Sequence, residues 1–381
     1  MKKKRTNPIL TILLPVLIGC GGNRQSGNDI ITVDVTKNYP EKELILQDFM
    51  DVEYIKLETT DDFVCQSNVQ SIGKKFIIVS NYNRDGDIFI FDRNGKALKK
   101  INRLGQGSEE YASISQIIWD EDNSEMLVNV YSEKIIKIYD LDGNFKRSIQ
   151  HKEGSRYSRK YNFDMANLIC YNDLNSPSFI IISKLDGSIN KEIIIPFIEK
   201  KPIYVESRNE AGDRVRYTPQ NAYQLVPYFD NWILVEFSAD TVYNYSPEHL
   251  MLPFITRIPS VQSMIPEIFI FMSLFTDCYY FMEKFTRELT QNGLESTDLL
   301  YDKQEKSIFK YKVYNRDYSN KEQVYLTSKP LNSEIPTYQV LEADKLIEDY
   351  NIGKLKGRLK EIAADLDEDS NAVIMLIKHK K

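Results

Sequence analysis

A short phrase of β-forming residues, a polar turn closed by glycine and a second β-forming run recurs along the chain. It reads IFIFDRNGKALKKI at 88–101, IIKIYDLDGNFKRSI at 135–149 and FIIISKLDGSINKEI at 179–193. Looser copies stand at 241–255 and 299–313. The turn glycines Gly95, Gly143 and Gly187 are 48 and 44 residues apart. A hairpin returning at that period implies repeated four-stranded blades around an axis, since one blade cannot bury its faces alone. The turn chemistry agrees: an Asp side chain bonds backbone two residues on, and Gly supplies the positive φ of a tight turn. The expected fold class is all-β, a six-bladed β-propeller with a short helical insertion before the last strand.

The blades are expected near 64–105, 112–150, 158–197, 218–258 and 268–316. A sixth combines the C-terminal run Ala372–Ile377 with the alternating segment Val52–Leu57, which has no local partner. Pairing the two ends would close the ring and remove an exposed edge. Gln339–Ala364 carries apolar residues at helical spacing (Val340, Ala343, Leu346, Ile347, then Leu355, Leu359, Ile362), interrupted at Asn351-Ile352-Gly353, and predicts two short helices. Pro266–Glu288 is aromatic and ambiguous in period; strand is expected from about Ser273.

The N-terminus reads as a targeting segment: Lys2, Lys3, Lys4 and Arg5, then the apolar run 9–18, then Leu17-Ile18-Gly19-Cys20. That run is too short for a spanning helix and matches a signal h-region. Residues 1–19 are therefore expected to be a lipoprotein signal peptide cleaved between Gly19 and Cys20, with Cys20 lipidated. Residues 20–30, rich in Gly, Ser and Asn, form a flexible tether, and 31–381 a single propeller domain. Roughly 350 residues would suggest two domains on length alone, but no Pro/Gly/Ser-rich linker divides them. The Gly at position 21 favours an outer-membrane location, lipid-anchored, on the periplasmic face or the cell surface.

Cleavage takes the formal charge from −6 to −10. No basic patch is dense enough for nucleic acid; Arg156–Lys160 and Lys354–Lys360 read as solvated faces. Cys65, Cys170 and Cys278 are widely spaced, leaving one disulfide among them open but excluding a stapled scaffold. Gly105-Gln106-Gly107 lacks the Lys-Ser/Thr of a phosphate loop. The acidic runs from Asp120 and from Asp365 lack the Gly turn and closing Glu of a calcium loop, so they read as solvated acids. His151, His249 and His379 lack zinc-ligand spacing and read as surface residues. No Gly-x-Ser-x-Gly elbow is present. No catalytic residue, metal ligand or cofactor is therefore predicted.

The phrase KINRLGQGSEEYASISQIIWD at 100–120, taken with the Cys20 motif and the C-terminal SNAVIMLI, resembles the six-bladed β-propeller lipoproteins of Bacteroidetes, a TolB-like or NHL-like propeller group. In that family a Gly-x-Gly-Pro-Gly-Glu-Tyr phrase links the first blade to the second. Gly105, Gly107, Glu110 and Tyr111 match it, while Ser108 and Glu109 replace Pro and Gly. The resemblance implies a structural blade linker and no shared catalytic set. The expected function is a membrane-anchored envelope protein whose propeller binds a ligand, an envelope protein or a glycan, with abundant Tyr and Phe offering stacking surfaces. The alternative is a propeller enzyme acting on carbohydrate, lactone or ester substrates in the central channel. Carboxylates and amides converging there would favour the enzyme; an apolar, aromatic lining would favour the binding module.

Overall fold

The computed structural model describes residues 30–82, 84–174, 177–208, 212–291, 293–326 and 329–380. Four strands hydrogen-bonded in sequence order make each of the first five blades. Blade 1 is Asn68–Ile72, Phe76–Ser80, Asp87–Asp92 and Ala97–Asn102. Blade 2 runs from Gln116–Asp120 to Phe145–Gln150, and blade 3 from Tyr157–Asn162 to Ile189–Ile193. Blade 4 runs from Leu225–Tyr228 to Met251–Ile258, and blade 5 from Ile268–Phe275 to Ser307–Tyr314.

The burial pattern follows from packing each blade between two others. In blade 2 the first three strands are buried at every residue, whereas the fourth, Phe145–Gln150, alternates and buries only Ile149. Inner strands covered on both faces tolerate runs such as Ile117-Ile118-Trp119 and Met126-Leu127-Val128, while the outer strand faces water on one side. Six apolar clusters fill the six gaps between neighbouring blades. Blades 1 and 2, for instance, share Ile88, Ile90, Ile117 and Val128, and blades 2 and 3 share Ile138, Leu168 and Ile180. The last gap, between the closing blade and blade 1, holds Ile55, Phe89, Phe91, Ile374 and Leu376. Each buried aliphatic side chain contributes about 1.5–3 kcal/mol.

The closing blade joins the two ends of the chain. Val373–His379 lies between Thr337–Leu341 and Met50–Lys56, antiparallel to both, with Val373 opposite Lys56 and His379 opposite Met50. This is the pairing expected for the orphan segment at 52–57. The blade has three regular strands rather than four. Its innermost position is taken by the irregular stretch Lys329–Ile335, pinned by Tyr161 Oη donating to Pro330 O at 3.1 Å and Asn332 Nδ2 donating to Ile72 O at 2.7 Å.

Several elements depart from the expectation. Ile31–Asp34 and Glu41–Ile45 add as parallel outer strands to blades 4 and 5, so the N-terminal chain passes along three consecutive blades before closing the ring. The two helices are Ala343–Asn351 and Gly357–Ala364; Gln339 and Val340, read as helical, belong to the strand Thr337–Leu341 because they pair with Met375 and Ile374. The aromatic segment forms strand from Ile268, five residues earlier than expected. A hairpin, Val205–Arg208 with Arg214–Tyr217, stands between blades 3 and 4, where no element was expected. The helices bury Leu346, Leu359 and Ile362 against Val373 of the closing blade.

Candidate functional site

The inner strands of blades 1 to 4 and the Lys329–Ile335 stretch surround a central cavity of about 500 Å³. It occupies the end of the channel where the inner strands terminate: Ile72 and Gly73, Trp119 and Asp120, Asn162 and Phe163, Phe229 and Asp230. In an antiparallel meander the third-to-fourth turn falls at the same end as the first-to-second, so the Asp-Gly turns at Gly95, Gly143 and Gly187 lie on this face of the ring, at its outer strands. The cavity exists because the closing blade supplies an irregular strand at its inner position and so fills the axis incompletely. Both tryptophans of the chain, Trp119 and Trp232, line it.

Its electrostatics are uneven. Glu121, Asp122, Asp230 and Glu334 stand at the mouth, and Glu121 Oε1 accepts from Lys75 N at 3.1 Å. Asp120 is buried and ion-paired with Lys184 across the blade 2–3 gap at 2.8 Å; the expectation of a solvated acid fails at this position because the residue ends an inner strand. Deeper lie Lys160 and Lys329. Burial pushes the Lys160 ammonium down to about 7. Burial also pushes Lys329 to about 7, with the charges of Arg159 and Lys160 adding to the fall. The run Arg156–Lys160, read as a solvated face, enters the inner strand of blade 3 from Tyr157 on, and Lys160 has no exposed surface.

The other sequence candidates lie apart from the cavity. Gly105, Gly107, Glu110 and Tyr111 form the link between blades 1 and 2. Glu110 Oε2 accepts from Gly107 N at 2.9 Å; Tyr111 Oη donates to Gly86 O at 2.7 Å and accepts from Arg103 N at 2.9 Å. Burial raises the Tyr111 phenol to about 12, so it stays a neutral donor. His151 is buried rather than superficial: it stacks on Tyr157 with ring centroids 4.4 Å apart, and desolvation takes its pKa to about 3. His249 accepts or donates to Tyr245 Oη at 2.7 Å, and His379 lies beside Phe229. Cys65 and Cys170 are free thiols, so no disulfide forms among Cys65, Cys170 and Cys278. Asp365, Asp367 and Asp369 are exposed. Among the described residues, no group of three or more His, Cys, Asp or Glu side chains could hold a metal ion. No helix of these residues is long and apolar enough to cross a membrane. Gly19, Cys20 and the tether up to residue 29 lie outside the described residues.

Sequence reasoning missed Lys160 and Lys329. Lys160 carried a usable signal: of the adjacent cations Arg159 and Lys160 in the β-forming run 157–162, alternation turns the two to opposite faces of the strand. Lys329 carried none, because Ser-Lys-Pro-Leu-Asn reads as an ordinary loop.

A family model described as a 6-bladed beta-propeller matches residues 22–333. Among solved structures, the chain is similar to a protein described as exported from Bacteroides fragilis, with 14% identity, a TM-score of 0.60, and coverage of 93% of this chain and 100% of that one. A second similar structure is a member of the duf4221 family from Bacteroides vulgatus, with 11% identity, a TM-score of 0.47, and coverage of 87% and 99%. The comparison with curated proteins finds no match.

Proposed function

Because the chain belongs to the six-bladed β-propeller family whose model spans residues 22–333, we propose that it is an envelope lipoprotein whose propeller is a ligand-binding module with its site in the central cavity. The observation that carries the binding reading is the cavity itself: about 500 Å³, walled by two tryptophans and by buried cations. Acid–base hydrolysis needs positioned carboxylates with their pKa values set apart, or a metal. Carboxylates at the mouth and amides such as Gln116 and Asn162 are the lining that the enzyme alternative calls for, so that alternative keeps its place. The binding reading rests on the deep wall, where lysines and indoles suit recognition. Export is supported by the 2–5 basic run and apolar 9–18 segment, and the Bacteroides fragilis protein of similar fold is described as exported. Lipid anchoring at Cys20 is our reading of Leu17-Ile18-Gly19-Cys20, and placement on the outer membrane follows from Gly21. The TolB-like or NHL-like assignment within the family is likewise ours and rests on the turn phrase.

Two measurements test this. A Cys20→Ala chain should lose membrane association on fractionation; retention at the membrane would sink the lipoprotein reading. Native mass spectrometry of protein extracted from the envelope in mild detergent should show a stoichiometric small-molecule adduct that is released unaltered. Chemical conversion of the released compound on incubation would support the propeller-enzyme alternative instead.

A further inference from the structure

We propose that the central cavity is a site for a small hydroxylated anion, an acidic sugar with a carboxylate or phosphate head, seated against Lys329 with Lys160 behind it. This rests on the binding-module reading and adds the chemical class of the ligand.

The argument begins with charge. Lys160 is fully buried, and its ammonium donates to Tyr157 O, a neutral acceptor. Lys329 lies in the irregular inner stretch of the closing blade and presents part of its surface to the cavity. Arg159, on the inner strand of blade 3, lies over the Tyr223 ring at 5.5 Å. Lys160 and Lys329 line the same cavity, and the charges of Arg159 and Lys160 both depress the Lys329 ammonium. None of the three makes an ion pair among the described residues. The nearby carboxylates are already engaged: Asp173 holds Arg156 at 3.2 Å and the Tyr131 hydroxyl, and Asp120 holds Lys184. An uncompensated buried cation costs several kcal/mol, and a site retains one where an anion arrives to pair with it.

The neutral groups narrow the class. Trp119 Nε1 is a buried donor with no partner, and Gln116 Oε1 and Asn162 Oδ1 are buried acceptors with none, among the described residues; all three side chains belong to residues of the cavity wall. Unpaired acceptors call for hydroxyl donors, which a simple carboxylate or inorganic phosphate does not supply. The acidic mouth (Glu121, Asp122, Asp230, Glu334) repels a polyanion but accepts hydrogen bonds from hydroxyls. Trp119 and Trp232 provide flat apolar surface for a sugar face. One anionic head, several hydroxyls and an apolar face describe an acidic monosaccharide.

The test uses the full chain in detergent micelles and its intrinsic fluorescence, since both tryptophans line the cavity. D-glucuronate and D-glucose 6-phosphate are titrated, with D-glucose as the neutral control. The expected result is a saturable change with at least one acid and none with D-glucose. Binding should be at least tenfold weaker in Lys329→Met and in Lys160→Met. The two substitutions lie on different segments, so misfolding of one, read from its circular dichroism, leaves the other to decide. The preferred acid separates a carboxylate head from a phosphate head. No response to either acid, or equal affinity in both variants, overturns the proposal. An equal response to D-glucose overturns the anionic class while leaving the binding-module reading intact.

Discussion

At the scale of single residues, the recurring turn glycine meets two demands. Gly95, Gly143 and Gly187 have φ of +86°, +78° and +77°, the region where other residues are strained. Each also packs against the outer strand of the preceding blade: Gly95 on Lys56, Gly143 on Ile101 and Gly187 on Ile149. A Cβ at Gly143 would come within 2.8 Å of Ile101 Cγ2. Gly154, at φ +76°, has open space around it. Gly154→Ala should therefore cost about 1 kcal/mol for conformation alone, and Gly143→Ala about 2–3 kcal/mol once the blade contact is disturbed. Urea unfolding midpoints of the two variants measure the difference; equal losses would show that the glycine matters only for its φ. The recurrence showed where the turns are. The second role was not legible, because a contact with the preceding blade leaves no mark in the turn's own sequence.

At the scale of the element, blade 5 carries a feature that its sequence conceals. Register sets Glu283 opposite Asp298, and both charges act on the buried Tyr311 of the next strand, beside Lys310 that pairs with Leu299. Glu283 accepts from Asn221 Nδ2 at 3.2 Å, and Lys42, which faces Tyr311 from the added outer strand, is engaged by Asp302 and Glu305 at 2.5 Å each. Burial first, and the Glu283 charge second, raise Asp298 to about 6 from its ordinary 3.8. The folded state thus holds this proton more tightly than the unfolded chain. The contribution of this proton to stability is full below pH 4, is lost as pH rises from about 4 to about 6, and is flat above. Asp298→Asn removes the decline and should stabilise the protein by about 2 kcal/mol at pH 7 and by nothing measurable at pH 4. Chemical denaturation at the two pH values checks it; a variant less stable than the parent at pH 7 would refute the assignment. The strand content here was ambiguous in the sequence because aromatic residues pack equally well in a helix or a fully buried strand. No reading of period could place two carboxylates, fifteen residues apart, on one face.

At the scale of the whole molecule, closure decides stability. An alternating strand at 52–57 without a neighbour, and a strongly apolar strand at the far end, already implied that the ends pair. The three-stranded closing blade, its irregular inner stretch and the cavity it leaves were not legible, since each depends on where the chain fails to form a strand. The same applies to the N-terminal strands over blades 4 and 5, whose short sequences bury Ile31, Val33 and Leu44 only through the edges they cover. This asymmetry yields a prediction. A chain ending at Asn371 loses Val373–His379 and strips partners from both Thr337–Leu341 and Met50–Lys56. It also removes Ile374 and Leu376 from one inter-blade core and Met375 and Ile377 from the next. With Val373, that is about 10 kcal/mol of apolar burial, comparable to the whole stability of a domain. Such a chain should show no cooperative thermal transition and should aggregate through its exposed strand edges. Replacing Ile31–Asp34 by a Gly-Ser segment leaves the ring closed, so it should keep a cooperative transition with a lowered midpoint. A truncated chain that still unfolds cooperatively would mean that five blades and an open edge suffice, and that the C-terminal strand does not lock the ring.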